Sequence, residues 1–161
     1  MKNIFKSIVV LLMLSILLNA NNKVLSLLED RGDMRDIKIV KTKPLSISYY
    51  QLGVKNDFID VKENTINRGL LYGAIWSFYA DNKLKDITIT MSLKDLTSKK
   101  LLLSKTKFIS RTKLLKLLEI KDINSIVLKN PKYYGMITLT DEFKNNIFYN
   151  SKVVKYIINS L

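Results

Sequence analysis

Between Arg68 and Asp81 the chain reads GLLYGAIWSFYA without a single charge. At 100° per residue, Leu70, Leu71, Ala74, Ile75 and Phe78 cover one broad side of a helix. Tyr72, Trp76 and Tyr79 adjoin that side, and Gly69, Gly73, Ser77 and Ala80 form a stripe of small residues on what remains. A helix that is apolar nearly all round belongs in an interior. The run is too short to cross a bilayer, which takes about 20 apolar residues, so its Gly-x-x-x-Gly spacing loses its membrane meaning. Two glycines inside a helix cost about 1 kcal/mol each relative to alanine. Close approach of another element along the small stripe is the simplest compensation. The pattern predicts a buried central helix over about 65–80, with Asn64 or Thr65 capping its start and Asn82 just past its end, where a left-handed residue is tolerated. Tyr72, Trp76 and Tyr79 are candidate aromatic contacts for a ligand, although such a side more often packs in a core.

Around that helix the period changes to two. IKIVKTKP, ending at Pro44, and LSISYYQLG, ending at Gly53, alternate as strands do. DITITMSL sets Ile87, Ile89, Met91 and Leu93 against Thr88, Thr90 and Ser92, a strand with one apolar and one hydroxyl face. That pattern suits an antiparallel sheet open to solvent on one side. KKLLLSKTKFIS reads as another strand, and INSIVLKN is ambiguous between a helical turn and a short strand closed by Pro131. YYGMITLT is a further strand. Ser110 is placed to cap a helix over about 111–120 with a leucine stripe, and Thr140 one over about 141–159 whose first turn carries Asp141 and Glu142. The order predicts a single α+β domain: a largely antiparallel sheet of about five strands with the buried helix and further helices on one face.

The N-terminus carries an address. Lys2 and Lys6 precede a nearly unbroken apolar run from Ile8 to Leu18, with Ala20 as the small residue before a cut. This is the form of a secretory signal, so residues 1–20 are expected to be a signal peptide and 21–161 one exported domain, periplasmic or secreted. An uncleaved N-terminal membrane anchor is the alternative. The chain has no cysteine, so disulfides cannot hold the fold; the 47% hydrophobic residues must.

Net charge is +13, which favours anionic partners. Of the 27 basic residues only Arg31, Arg35, Arg68 and Arg111 are arginine, the type suited to bidentate phosphate and base recognition. An AT-rich genome produces the same wealth of Lys, Asn and Ile. The densest basic stretch holds Lys99, Lys100, Lys105, Lys107, Arg111, Lys113, Lys116 and Lys121 with Glu119 as its one acid. These are candidate contacts for an anionic surface, set against the plainer reading of solvated lysines beside core leucines. Residues 112–130 superficially resemble a helix-turn-helix, but an exported chain whose short second helix offers only Asn124, Ser125 and Lys129 is a poor reader of DNA. Arg31-Gly32-Asp33 matches an integrin-binding tripeptide that a Gly-centred turn also explains.

There is no histidine. With cysteine also absent, Ser-His, Cys-His and dithiol machinery and the usual zinc ligands are excluded. No Gly-rich phosphate loop follows a strand, and no cofactor is implied. Asp57, Asp60 and Glu63 are the remaining candidates for carboxylate chemistry, with Lys55 and Lys62 beside them; a polar connection into the helix is the plainer reading. The leading expectation is a non-catalytic exported binding or accessory protein of the cell envelope that acts through contacts with another protein. The alternatives are a binder of anionic membranes, acidic glycans or nucleic acid through residues 99–121, and a carboxylate-dependent hydrolase.

Overall fold

The computed structural model describes residues 22–29, 34–130 and 136–161. The expected signal segment, the Arg31-Gly32-Asp33 tripeptide, Pro131 and the start of YYGMITLT lie outside the described residues. A first helix, α1, covers residues 22–29. Strand β1 (Arg35–Thr42) turns through Pro44 into β2 (Leu45–Gly53), and helix α2 (Ile59–Ala80) leads to β3 (Asp86–Asp95) and β4 (Leu101–Ser110). Helix α3 (Arg111–Leu117), a 3-10 turn (Ile123–Ile126), β5 (Val127–Asn130) and β6 (Met136–Leu139) follow. The chain closes with a short helix α4 (Asp141–Phe143), a π-helical turn (Lys144–Phe148) and α5 (Ser151–Ser160).

Four strands form one sheet in the order β1-β2-β3-β4, and β5 and β6 form a separate two-stranded sheet. The architecture is the expected single α+β domain. Two features of the strands differ from expectation. There are six described strands in two sheets rather than about five in one, because INSIVLKN supplies both a 3-10 turn and a strand. The β2–β3 pair is parallel, since α2 is the crossover between them and returns the chain to the same end of the sheet.

On the inner sheet face Ile87, Ile89, Met91 and Leu93 are buried, as their alternation required. Across the outer face Thr90 meets Thr106 at 2.9 Å and Ser92 meets Ser104 at 3.0 Å, so the hydroxyls pair between strands. Helix α2 lies on the inner face, where Ile66, Leu70, Leu71, Ala74, Ile75, Trp76 and Phe78 join the core. Val154, Ile157 and Ile158 of α5 complete it from the side of α2.

The small-residue stripe does what its composition implied. Tyr49 and Met91 are register partners on β2 and β3, and α2 crosses them along Gly69 and Gly73. A Cβ on Gly69 would stand 2.7 Å from the Met91 Cε, and one on Gly73 would fall on the Tyr49 hydroxyl. That hydroxyl donates to the Gly69 carbonyl at 2.7 Å, and Ser77 Oγ donates to the Gly73 carbonyl at 2.7 Å. Burial pushes the Tyr49 hydroxyl far above its ordinary 10.0. A phenol kept protonated by the fold contributes fully below pH 10.0, and its contribution is lost progressively at higher pH as the unfolded chain ionises. Above pH 10.0, stability of the wild-type chain is therefore expected to fall more steeply than that of Tyr49→Phe, read by circular dichroism. Equal slopes would mean that this hydroxyl is not dry.

The helix boundaries moved. α2 starts at Ile59 rather than near residue 65, with Phe58 at the N-cap and no side-chain cap. Neither Asn64 nor Thr65 caps it; Thr65 Oγ1 donates to the Val61 carbonyl inside the helix at 3.0 Å. The first buried residue of α2 is Ile66. Residues 59–65 overhang the core, where apolar periodicity carries no signal. At the other end Asp81 is an extended C-cap, and Asn82 is not left-handed. Ser110 precedes α3 without a side-chain cap, and α3 stops at Leu117 before Glu119, which takes a positive φ of 56°. Thr140 caps as expected, accepting from the Phe143 N–H at 3.3 Å. The last helical region is broken in two because the π-helical turn ends at Tyr149 and Asn150 caps α5 anew.

Candidate functional site

A cavity of about 420 Å³ lies between the middle of α2, the end of β2, β6 and the π-helical turn. That volume suits a small ligand or an inserted side chain. Spacing along α2 positions one wall: Thr65, Arg68, Gly69 and Tyr72 recur every three or four residues and face the same way. The π-helical turn positions the opposite wall. Its wide turn closes with the Tyr149 N–H donating to the Lys144 carbonyl at 2.8 Å, which brings Lys144, Phe148 and Tyr149 to the same cavity. Such turns recur at functional sites. Gln51 and Thr138 complete a polar rim.

Among the described residues no carboxylate lines this cavity. Arg68 Nη2 donates to the Tyr149 carbonyl at 3.0 Å, across 81 residues of chain, and the guanidinium lies 6.0 Å from the centre of the Tyr149 ring. Among the described residues no acid pairs with Arg68, and its Nε is buried without a hydrogen-bond partner. Lys144 differs: its Nζ lies 2.6 Å from Asp141 Oδ1, and that hydrogen bond holds its pKa above the ordinary lysine value. The cavity thus joins one anchored, uncompensated guanidinium to an aromatic wall of Tyr72, Phe148 and Tyr149. Chemically this arrangement suits an anion attached to a flat or apolar body, since Arg offers paired donors in a plane.

The aromatic candidates do not form one platform. Trp76 is wholly buried, with Tyr72 edge-on to it at 5.6 Å and Tyr79 at 5.7 Å. Tyr72 opens into the Arg68 cavity, whereas Tyr79 borders a separate open groove beside α1.

The basic candidates are spread along β4 and beyond. Lys99 and Lys100 lie at the β3–β4 turn, with Lys99 donating to the Leu96 carbonyl at 2.6 Å. Ten residues of strand separate them from Arg111, a rise of about 33 Å. Lys105 and Lys107 sit between, opposite Met91 and Ile89 at the helix side of the sheet. Lys105 Nζ donates to Asn67 and Asn159, and desolvation, then Lys107, hold its pKa below the ordinary lysine value. Arg111 is spent on the end of α2, where Nη1 donates to the carbonyls of Phe78, Asp81 and Asn82. Lys113 Nζ donates to the Leu161 carbonyl at 3.4 Å. Lys116 and Lys121 are exposed.

Asp57, Asp60 and Glu63 stand at the start of α2. Asp60 and Glu63 border a smaller cavity of about 220 Å³ together with Lys152 and Lys155, and Lys155 pairs with Glu63 at 3.2 Å. Among the described residues no group of three or more acids could hold a metal ion. Sequence reasoning missed Arg68, Lys144, Phe148 and Tyr149. The usable signals were the helical spacing of Thr65, Arg68 and Tyr72 and the scarcity of arginine, and neither reveals the π-helical turn opposite. No family model, curated protein or solved structure matches this chain.

Proposed function

We propose that this chain is an exported, non-catalytic binding protein, and that its partner is a protein presenting a carboxylate beside an apolar or aromatic side chain to the Arg68 cavity. The observation that carries this reading is the guanidinium itself. It is anchored to Tyr149 in a cavity with aromatic walls and, among the described residues, no acid in its lining. A carboxylate entering there forms a charge-assisted pair, which is shorter and stronger than a neutral hydrogen bond. The apolar body of the same residue covers Tyr72 and Phe148.

N-acetyl-phenylalanine is a minimal probe, since it carries one carboxylate beside one ring. Trp76 is the only tryptophan and touches Tyr72 on the cavity wall, so its emission reports occupancy. Titration is expected to change that emission saturably for the acid and not for N-acetyl-phenylalanine amide. Arg68→Gln should weaken binding of the acid about tenfold or more, the loss of one charge-assisted pair. Equal binding of acid and amide, or an unaltered affinity in Arg68→Gln, would remove the proposal.

A further inference from the structure

Among the described residues eleven large hydrophobic side chains are exposed, and six of them gather at one end of the molecule: Val54, Phe58, Ile59, Val61, Leu96 and Leu101. Phe58 is 83% exposed, the highest of all. Their proximity follows from the fold. The Leu96 N–H donates to the Gly53 carbonyl at 2.8 Å, which sets the β3–β4 turn beside the end of β2. Leu101 pairs with Lys94 where β4 begins. Lys62 Nζ reaches back to the Lys55 carbonyl at 2.6 Å, holding the β2–α2 loop against the first turn of α2. The rest of α2 supplies the core from Ile66 onward, so folding gives no reason for Phe58, Ile59 and Val61 to be apolar.

The segments that build this tip carry more lysines than acids. Lys55, Lys62, Lys94, Lys99 and Lys100 outnumber the acids, which are Asp57, Asp60 and Asp95. The Asp95 carboxyl is taken up by the hydroxyl and N–H of Ser98 at 2.6 and 3.0 Å, and Ser98 holds its pKa below the ordinary value. Glu63, one turn further along α2, is paired with Lys155. Lys94 stretches over the Tyr50 ring, its Nζ 3.9 Å from the centre.

We infer that this tip inserts shallowly into the surface of an anionic lipid bilayer, independently of the Arg68 cavity. The tip projects rather than encloses, because it is built from a helix overhang and two turns. Its apolar groups are Phe, Ile, Leu and Val, with none of the Trp and Arg that anchor protein–protein contacts. Long lysine stems let ammonium groups reach phosphate while the apolar side chains enter the acyl boundary. No helix among the described residues is long and apolar enough to cross a membrane.

The test places a tryptophan at the tip of the full chain, Phe58→Trp, and adds vesicles of phosphatidylcholine with or without phosphatidylglycerol. With anionic vesicles the emission in excess of the wild-type Trp76 signal is expected to shift to the blue and to be quenched by brominated lipid; with phosphatidylcholine alone neither change is expected. Phe108→Trp, at an exposed site on the sheet face, should show neither. Adding Leu96→Glu and Leu101→Glu to Phe58→Trp should reduce the quenched signal about tenfold or more. These positions are exposed, so the circular-dichroism melt should be unchanged. Emission from position 58 that ignores anionic vesicles overturns the inference, even if the chain sediments with them. So does a blue shift that appears without lipid and vanishes on dilution, which would assign the tip to a second copy of the chain.

Discussion

Gly73→Leu is expected to lower the melting temperature by roughly 10 °C, from an overpacking cost of about 3 kcal/mol or more in a domain of this size. Even the first added carbon has nowhere to go. It falls on the Tyr49 hydroxyl and stands 3.0 Å from Tyr49 Cζ and 3.2 Å from Cε1. Tyr49 cannot swing aside cheaply, because it is buried and its hydroxyl is bonded to the Gly69 carbonyl at 2.7 Å. The milder Gly73→Ala sets two effects against each other. Helix propensity favours alanine by about 1 kcal/mol, and overpacking opposes it by about 1–3 kcal/mol. A net loss is expected because the obstruction is a ring held at both ends. Removing the hydroxyl should relieve part of it, so Gly73→Ala combined with Tyr49→Phe should lose less stability than the two single changes added together. Denaturant melts of the four proteins measure that coupling. Simple additivity, or an unaltered melting temperature in Gly73→Leu, would show that Tyr49 and α2 do not meet this closely.

Arg111→Ala is expected to cost about 3 kcal/mol, since it removes a charged donor from three carbonyl oxygens at the end of α2. α2 has no basic residue in its last turn. Arg111, at the start of α3, supplies the missing donors, with Nη1 2.9 Å from the Asn82 oxygen and 3.1 Å from the Phe78 oxygen. Its own N–H donates to the Lys85 carbonyl at 2.7 Å, and the guanidinium stacks near the Phe78 ring at 5.8 Å. Arg111→Lys should recover only part of the loss, because an ammonium lacks the flat guanidinium face that lies beside the Phe78 ring. The Asp122 contact at 3.4 Å is half exposed and adds little, so Asp122→Asn should have a small effect. Chemical denaturation, with amide exchange at the end of α2, reads the difference. Wild-type stability in Arg111→Ala would return this residue to the pool of free surface cations.

Much of the fold was legible because burial leaves a periodic trace. The alternation of Ile87, Ile89, Met91 and Leu93 marked the inner face of β3, and the uncharged run from Gly69 to Ala80 marked the buried part of α2. The start of α2 was not legible, since none of residues 59–65 is buried and they show no apolar period. Arg111 looked like one more cation in a basic stretch. Its partners lie 33 residues back at Phe78, and a side chain bonding to backbone oxygens leaves no mark on the sequence at the other end. The Arg68 cavity was hidden for the same reason, because Arg68 and Tyr149 are 81 residues apart.

By itself the sequence determined that a helix with two glycines on one stripe would be buried and that something would press against the stripe. Hydrophobic period and the cost of helical glycine suffice for that. Only the tertiary structure decided what presses there. The parallel pairing of β2 with β3 puts Tyr49 and Met91 side by side, and the crossover of α2 lays Gly69 and Gly73 on top of them. The same crossover carries the first turns of α2 past the edge of the core, leaving Phe58 and its neighbours in solvent. Local patterns state which side of an element must be dry, whereas the partner on that side is chosen by contacts between segments far apart in the chain.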